Sequence, residues 1–247
     1  MTRYYYQQME PLAQEVYRAL EEGLEQVRPS IVVPRLEGKR FGEVLFQLRL
    51  DCPALFYVTG ASYRAHPAGN HLEVLPQYLF PKAKILTHRK AIAARVERLC
   101  RPLQHQSPWE QEQAIHDLLC TTVRYDKLKK PYSHEVIGPL TQGVGVCEGI
   151  AKSVKLLCDT LGIWCMVVLS EAAPERGIKY RHAWNLVKLD GQYYHLDATF
   201  DNTLSQSGEL RRDYLNLDDR QLFRDHLPAL YPVPPCTDGG KFYYKSA

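Results

Sequence analysis

No stretch of this chain approaches the roughly 20 consecutive apolar residues that cross a bilayer, and MTRYYYQQMEPLAQEV at the start lacks the apolar run of a signal peptide. The expectation is a cytoplasmic protein with no membrane partner, unless a leader was removed. There is no CxxC pair, which argues against a structural zinc site. The seven cysteines, Cys52, Cys100, Cys120, Cys147, Cys158, Cys165 and Cys236, are odd in number and widely spaced, so a small disulfide scaffold is excluded. No internal repeat and no low-complexity tract occurs. Neither sign of charge dominates: the net is +3, with basic and acidic residues interspersed. Lys127, Lys129 and Lys130 form a short basic cluster without interleaved aromatics, so a solvated surface is expected there and no nucleic-acid partner.

What is present is ordinary globular material: 45% hydrophobic and 24% charged residues in 247, enough for a real core without staples. Residues 7 to 27 have helical periodicity through Leu12, Val16, Ala19, Leu20 and Leu24, ended by Pro29 and Pro34. A short helix and then a strand at 55–59 are expected from the 43–58 segment, a second strand at 71–78, and a helix over 83–103. The segment 104–108 is a break. Ser107, Pro108 and Glu110 then spell a capping box opening a helix to about Thr122. This suggests an N-terminal α+β accessory region over 1–105 and a second domain over 106–247.

The chemistry concentrates in the second region. Gly143-Val144-Gly145-Val146-Cys147-Glu148-Gly149 leads into a helix whose apolar positions are 147, 150, 151, 154, 157, 158 and 161. Glu148, Lys152, Lys155 and Asp159 take the other side, and Gly162 is placed as C-cap. Cys147 thus opens a helix after a glycine-rich turn, where the dipole and free N–H groups favour a thiolate and its own N–H can face an oxyanion. The plainer reading is a buried cysteine at the end of a core helix, which is the better one for Cys158 and Cys165.

Further on, residues 181–189 and 192–200 flank Asp190-Gly191, a strong two-residue hairpin signal. In that register Leu189 faces Gln192, Trp184 pairs with Asp197 and His182 with Thr199, so Asp197 lies diagonally across from His182. Ala183, Val187, Leu189, Leu196 and Ala198 line the opposite, core-facing side. His195, opposite Leu186, is a competing base; packing or a surface hydrogen bond is the reading preferred for it.

The order of these motifs resembles the transglutaminase-like superfamily, in particular its bacterial members. Gly138-Pro139-Leu140, Gly145-Val146-Cys147-Glu148-Gly149-Ile150-Ala151, His182-Ala183-Trp184-Asn185 and Tyr194-His195-Leu196-Asp197-Ala198-Thr199-Phe200-Asp201 carry the likeness, which runs from about Trp109 to His226. Asp213-Tyr214-Leu215-Asn216 and Asp225-His226 look like its closing segment, and Pro53-Ala54-Leu55-Phe56-Tyr57 resembles an accessory region preceding such domains.

The resemblance implies an α+β, papain-like core, with the nucleophile helix packed on an antiparallel sheet. It implies a Cys147–His182–Asp197 triad forming a thioester acyl-enzyme. Gln142, His134 and Trp184 are further candidates for oxyanion or substrate contacts. Animal relatives need calcium, but no acidic loop cluster here would form that site, so no metal and no other cofactor is expected. The expected partner is a peptide or protein amide. Hydrolysis is preferred over transamidation, because it needs no pocket for a second substrate. A triad-less interaction module and a glycan-removing amidase are the other readings; the latter usually carries cysteine pairs for zinc, absent here.

Overall fold

The computed structural model describes residues 1–65, 69–176, 178–206 and 208–238. The chain divides into two compact units, one of residues 3–91 and one of residues 1–2 with 92–247.

The first unit begins with α1 (Tyr4–Gln7) and α2 (Pro11–Glu25). One continuous helix is expected from residue 7; instead Pro11 sits at the first position of a new helix, where its missing N–H costs nothing. Asp51 ties down the first piece by accepting from the backbone N–H of Tyr5 at 3.3 Å and Tyr6 at 2.9 Å. β1 (Ile31–Pro34) follows, where the sequence suggested only a helix stop, and then α3 (Gly38–Asp51). The strand expected at 55–59 is β2 (Val58–Ala65); Pro53 opens a single 3-10 turn before it. β3 (His71–Tyr78) lies where its pattern put it and forms the centre of an antiparallel sheet ordered β1-β3-β2. α2 buries Ala13, Val16, Tyr17, Leu20 and Leu24, an i, i+3, i+4, i+7 stripe; of the expected positions Leu12 is exposed and Ala19 half-buried, so the stripe is turned slightly from the one read in the sequence.

α4 (Lys82–Cys100) contains the boundary between the units. In the second unit, α5 (Pro108–Thr122) begins with the capping box read from its sequence, Ser107 and Glu110 bonding reciprocally. β4 (Arg124–Tyr125) and β5 (Val144–Gly145) pair in parallel and bring the glycine turn to the start of α6 (Cys147–Leu161). Gly162 closes α6 in the left-handed conformation. β6 (Trp164–Ser170), β7 (His182–Leu189), β8 (Gln192–Leu196) and β9 (Leu215–Leu217) form an antiparallel sheet in that order, with α7 (Ala198–Ser205) between β8 and β9 and α8 (Asp219–Leu222) after it. α6 packs on β6 and β7. The core is therefore α+β, with the helix that Cys147 opens laid on an antiparallel sheet.

Asn185 fixes this packing. It lies in the row of β7 that faces the helix, and its amide donates to the Ala151 carbonyl at 2.9 Å and the Met166 carbonyl at 3.2 Å. Lys152 and Lys155, placed on the outer side of α6 by their charge, are fully buried instead. Lys152 Nζ meets Glu135 at 2.8 Å and Glu148 at 2.7 Å. Lys155 Nζ meets Asp159 at 2.8 Å and donates to the carbonyls of Thr2 and Cys165. A buried ammonium is tolerable only with such complete pairing.

Among the described residues, no helix is long and apolar enough to cross a membrane.

Candidate active site

The hairpin register follows the Asp-Gly turn: Leu189 faces Gln192 and Leu186 faces His195, with Asp190 and Gly191 both at positive φ. Pairing stops at Asn185–Leu196. The expected pairs Trp184–Asp197 and His182–Thr199 do not form, because Asp197 leaves the strand and becomes the N-cap of α7. Its Oδ1 accepts from the N–H of Thr199 at 2.8 Å and Phe200 at 3.1 Å. The side chain still reaches its target: Asp197 Oδ2 lies 2.5 Å from His182 Nε2.

With Nε2 committed to Asp197, Nδ1 is the ring nitrogen left for Cys147, whose sulfur is near enough to bear on the ionisation of the imidazole. Burial disfavours charge on His182, but the Asp197 carboxylate and the Cys147 sulfur outweigh it and push the imidazole up to about 10. Burial likewise opposes charge on Asp197, yet the His182 cation and donors from two histidines hold its carboxyl well below the usual range. The signs follow by linkage. The His182 contribution to stability is complete below its ordinary value of 6.5 and is lost as pH rises through about 10. That of Asp197 is present above 3.8 and is lost on acidification.

The N-terminus of α6 is open: Val146, its N-cap, makes no side-chain hydrogen bond to the first turn. The N–H groups there are available to an oxyanion at the sulfur. Gly149, in that first turn, lies against the 131–134 segment. A Cβ on it would fall 2.2 Å from the Ser133 carbonyl oxygen, which also accepts from Val146 N–H at 3.0 Å. Gly149→Ala is therefore expected to force backbone apart beside Cys147. The melting temperature should fall by the equivalent of roughly 1–3 kcal/mol, as thermal unfolding measures, and turnover should fall with it.

The weaker candidates lie around this centre. Trp184 is fully buried, stacked behind His182 at 5.9 Å, with its indole N–H donating to His195 Nδ1 at 3.0 Å. His134 Nδ1 is 3.4 Å from Glu148. Gln142 is exposed, and its amide donates to Thr141 Oγ1 at 3.3 Å. His195 lies inside the protein rather than on its surface: Nδ1 takes the Trp184 proton and Nε2 lies 2.8 Å from Asp219.

Two residues escaped the sequence reading. Tyr125 pairs with Gly145, two residues before Cys147. Burial first, and then the charges on Cys147 and Asp197, push its hydroxyl up to about 12, so it stays a proton donor at neutral pH. It lines a cleft of about 580 Å³ that Arg124, Lys127 and Lys130 also border. His226 places Nε2 at 2.9 Å from the same Asp197 Oδ2 that holds His182. The pattern around Asp225-His226 was legible only as a likeness, without a contact to assign.

Among the described residues, two groups have three donor atoms within 4.8 Å of one another and could hold a metal ion: His182, Asp197 and His226, and His195, Asp219 and Cys236. Each draws on residues far apart in sequence, so neither makes a spacing motif.

A cysteine opening a helix, a histidine on the facing antiparallel sheet and an aspartate just beyond the next strand define a cysteine acyl-transfer fold. Residues 93–198 match the model of the transglutaminase-like superfamily. Two solved structures are similar. One is a TGase, with TM-score 0.39 and 12% identity over 69% of this chain. The other is a candidate cysteine protease from Cytophaga hutchinsonii, with TM-score 0.32 and 16% identity over 57%. The chain spans 50% of the first and 61% of the second. No curated protein matches the sequence.

Proposed function

We propose that the protein is a cysteine peptidase or amidase that cleaves peptide or related amide bonds through a Cys147–His182–Asp197 triad. The observation that carries this reading is His182 itself, bridged by Nε2 to Asp197 at 2.5 Å, with the Cys147 sulfur near enough to raise its imidazole. The Cys147 sulfur attacks the acyl carbon, and the negative charge moves to the carbonyl oxygen. The N–H groups opening α6 face that oxygen. Tyr125, whose hydroxyl feels the Cys147 charge, is a second donor for it, whereas the side chains of Gln142 and His134 meet Thr141 and Glu148. The C–N bond then breaks, the amine leaves with a proton from His182, and a thioester remains. Water attacks the thioester, its proton passes to His182, and the acid is released.

Thiol reactivity tests the triad without a known substrate. Cys147 is half-buried, whereas the other six cysteines are buried. Burial raises the thiols of Cys52, Cys100, Cys120 and Cys236, and a hydrogen bond with Cys165, then burial, raises that of Cys158. Iodoacetamide at pH near 6 is expected to modify one thiol per chain, Cys147, with peptide mapping as the readout. Turnover, unlike alkylation, should decline as pH rises through about 10, where His182 loses the proton it gives to the leaving amine. Slow labelling of all seven alike would instead assign a non-catalytic interaction module. A peptide screen read by mass spectrometry, with and without a primary amine, separates hydrolysis from transamidation: free acid in both arms is the expected product, and an amine adduct would reassign the enzyme as a protein-glutamine transamidase.

A further inference from the structure

We propose that His226 is a positioning residue for this triad, a second histidine that holds the same Asp197 oxygen as His182. The proposal rests on the triad reading above. His226 lies outside the matched residues 93–198.

The Asp197 carboxylate is held by four donors. Oδ1 takes the N–H groups of Thr199 and Phe200 at 2.8 and 3.1 Å. Oδ2 takes Nε2 of His182 at 2.5 Å and Nε2 of His226 at 2.9 Å. An ionised carboxylate only accepts, so both histidines donate through Nε2. His226 is itself anchored: its side chain is 1% exposed, Nδ1 lies 2.6 Å from Asp225 Oδ1, and the Tyr214 hydroxyl donates to Asp225 Oδ2 at 2.5 Å. The Phe200 ring packs against it at 4.5 Å. The segment carrying Tyr214 is fastened in turn, since Asp201 in α7 accepts from the N–H of Asp213 at 2.8 Å and Tyr214 at 3.0 Å.

Backbone caps alone fix one oxygen of Asp197 and leave the other free to turn about the carboxylate axis. His226 removes that freedom. The direction in which Oδ2 presents itself sets the plane of the His182 ring, and that plane decides whether Nδ1 faces sulfur. A residue that only filled space would keep the pocket dry without setting this angle.

The test uses the full chain and iodoacetamide as the probe of Cys147, with melting temperature and circular dichroism confirming the fold. His226→Leu keeps bulk and removes the donor. The expected result is about a tenfold slower alkylation at pH 7, the scale of one lost hydrogen bond to a charged group, with the acid limb moved to higher pH, because a less stabilised imidazolium leaves less of the thiolate–imidazolium pair. His226→Gln carries an amide N–H at the reach of Nε2 and should restore both rate and limb. If His226→Leu does not fold, His226→Asn replaces it, since its shorter amide cannot reach Asp197. Parent-like rate and pH profile in a folded Leu or Asn variant would overturn the positioning role while leaving the triad intact. If Cys147 of the parent reacts no faster than the buried thiols, the triad reading fails instead.

Discussion

Cys147→Ala is expected to abolish turnover of any peptide or amide that the parent cleaves, leaving a rate at the limit of detection. Each other cysteine is buried, and none can reach an acyl carbon at the mouth of α6. The imidazole of His182 keeps its partner Asp197 but has no thiol to deprotonate, so no thioester forms. The fold should survive, because alanine is the best helix former and Cys147 is only half-buried at the first position of α6. Intact-mass analysis of a stopped reaction gives the direct check: an acyl adduct on the parent and none on the variant. Turnover in the variant within about tenfold of the parent would remove Cys147 from the chemistry. The expected loss is far larger, on the order of the millionfold effect that removing a nucleophile has in a triad protease.

The parts of this site that were legible from sequence are those set by local rules. Asp190-Gly191 dictates a two-residue turn, and the turn dictates a register that was read correctly as far as Leu196. Ser107 with Glu110, and Gly162 after α6, announce helix ends through chemistry that acts within four residues. Where the expectation fails, a long-range contact has overruled a local pattern. The alternation through Asp197-Ala198-Thr199 continues that of a strand, yet the segment coils into α7, which Asn202 ties to α5 by donating to the Val123 carbonyl at 2.6 Å. Lys152 and Lys155 follow the helical pattern of a solvated face; their burial depends on Glu135, 17 positions upstream of Lys152, and on the chain start at Thr2. His195 reads as a spare polar residue near a turn, but Trp184 and Asp219 engage both of its nitrogens. That leaves neither for a proton transfer, so it cannot replace His182 as base. His226 meets Asp197 from 29 positions away, a distance at which no sequence periodicity operates.

Asp197→Asn is expected to preserve the fold and to slow turnover by about 10⁴-fold, the loss seen when a triad aspartate becomes asparagine in a serine protease. The two oxygens of Asp197 explain why fold and activity should separate. Oδ1 caps α7, and an asparagine carbonyl caps a helix as well as aspartate does. Oδ2 accepts from Nε2 of both His182 and His226. In the variant an NH₂ group stands there and donates where two donors already point. To relieve that conflict His182 must carry its proton on Nδ1, the nitrogen facing Cys147, and a protonated neutral Nδ1 cannot take the thiol proton. Turning the amide to restore the acceptor would place NH₂ against the N–H groups of Thr199 and Phe200, so one conflict replaces the other. The carboxylate that keeps His182 charged is also gone, and the imidazole should fall back from about 10 toward its ordinary range. The measurement is turnover and Cys147 alkylation across pH, with circular dichroism showing α7 intact. A folded variant that loses less than tenfold would mean that Asp197 serves α7 alone and that His182 is oriented by something else.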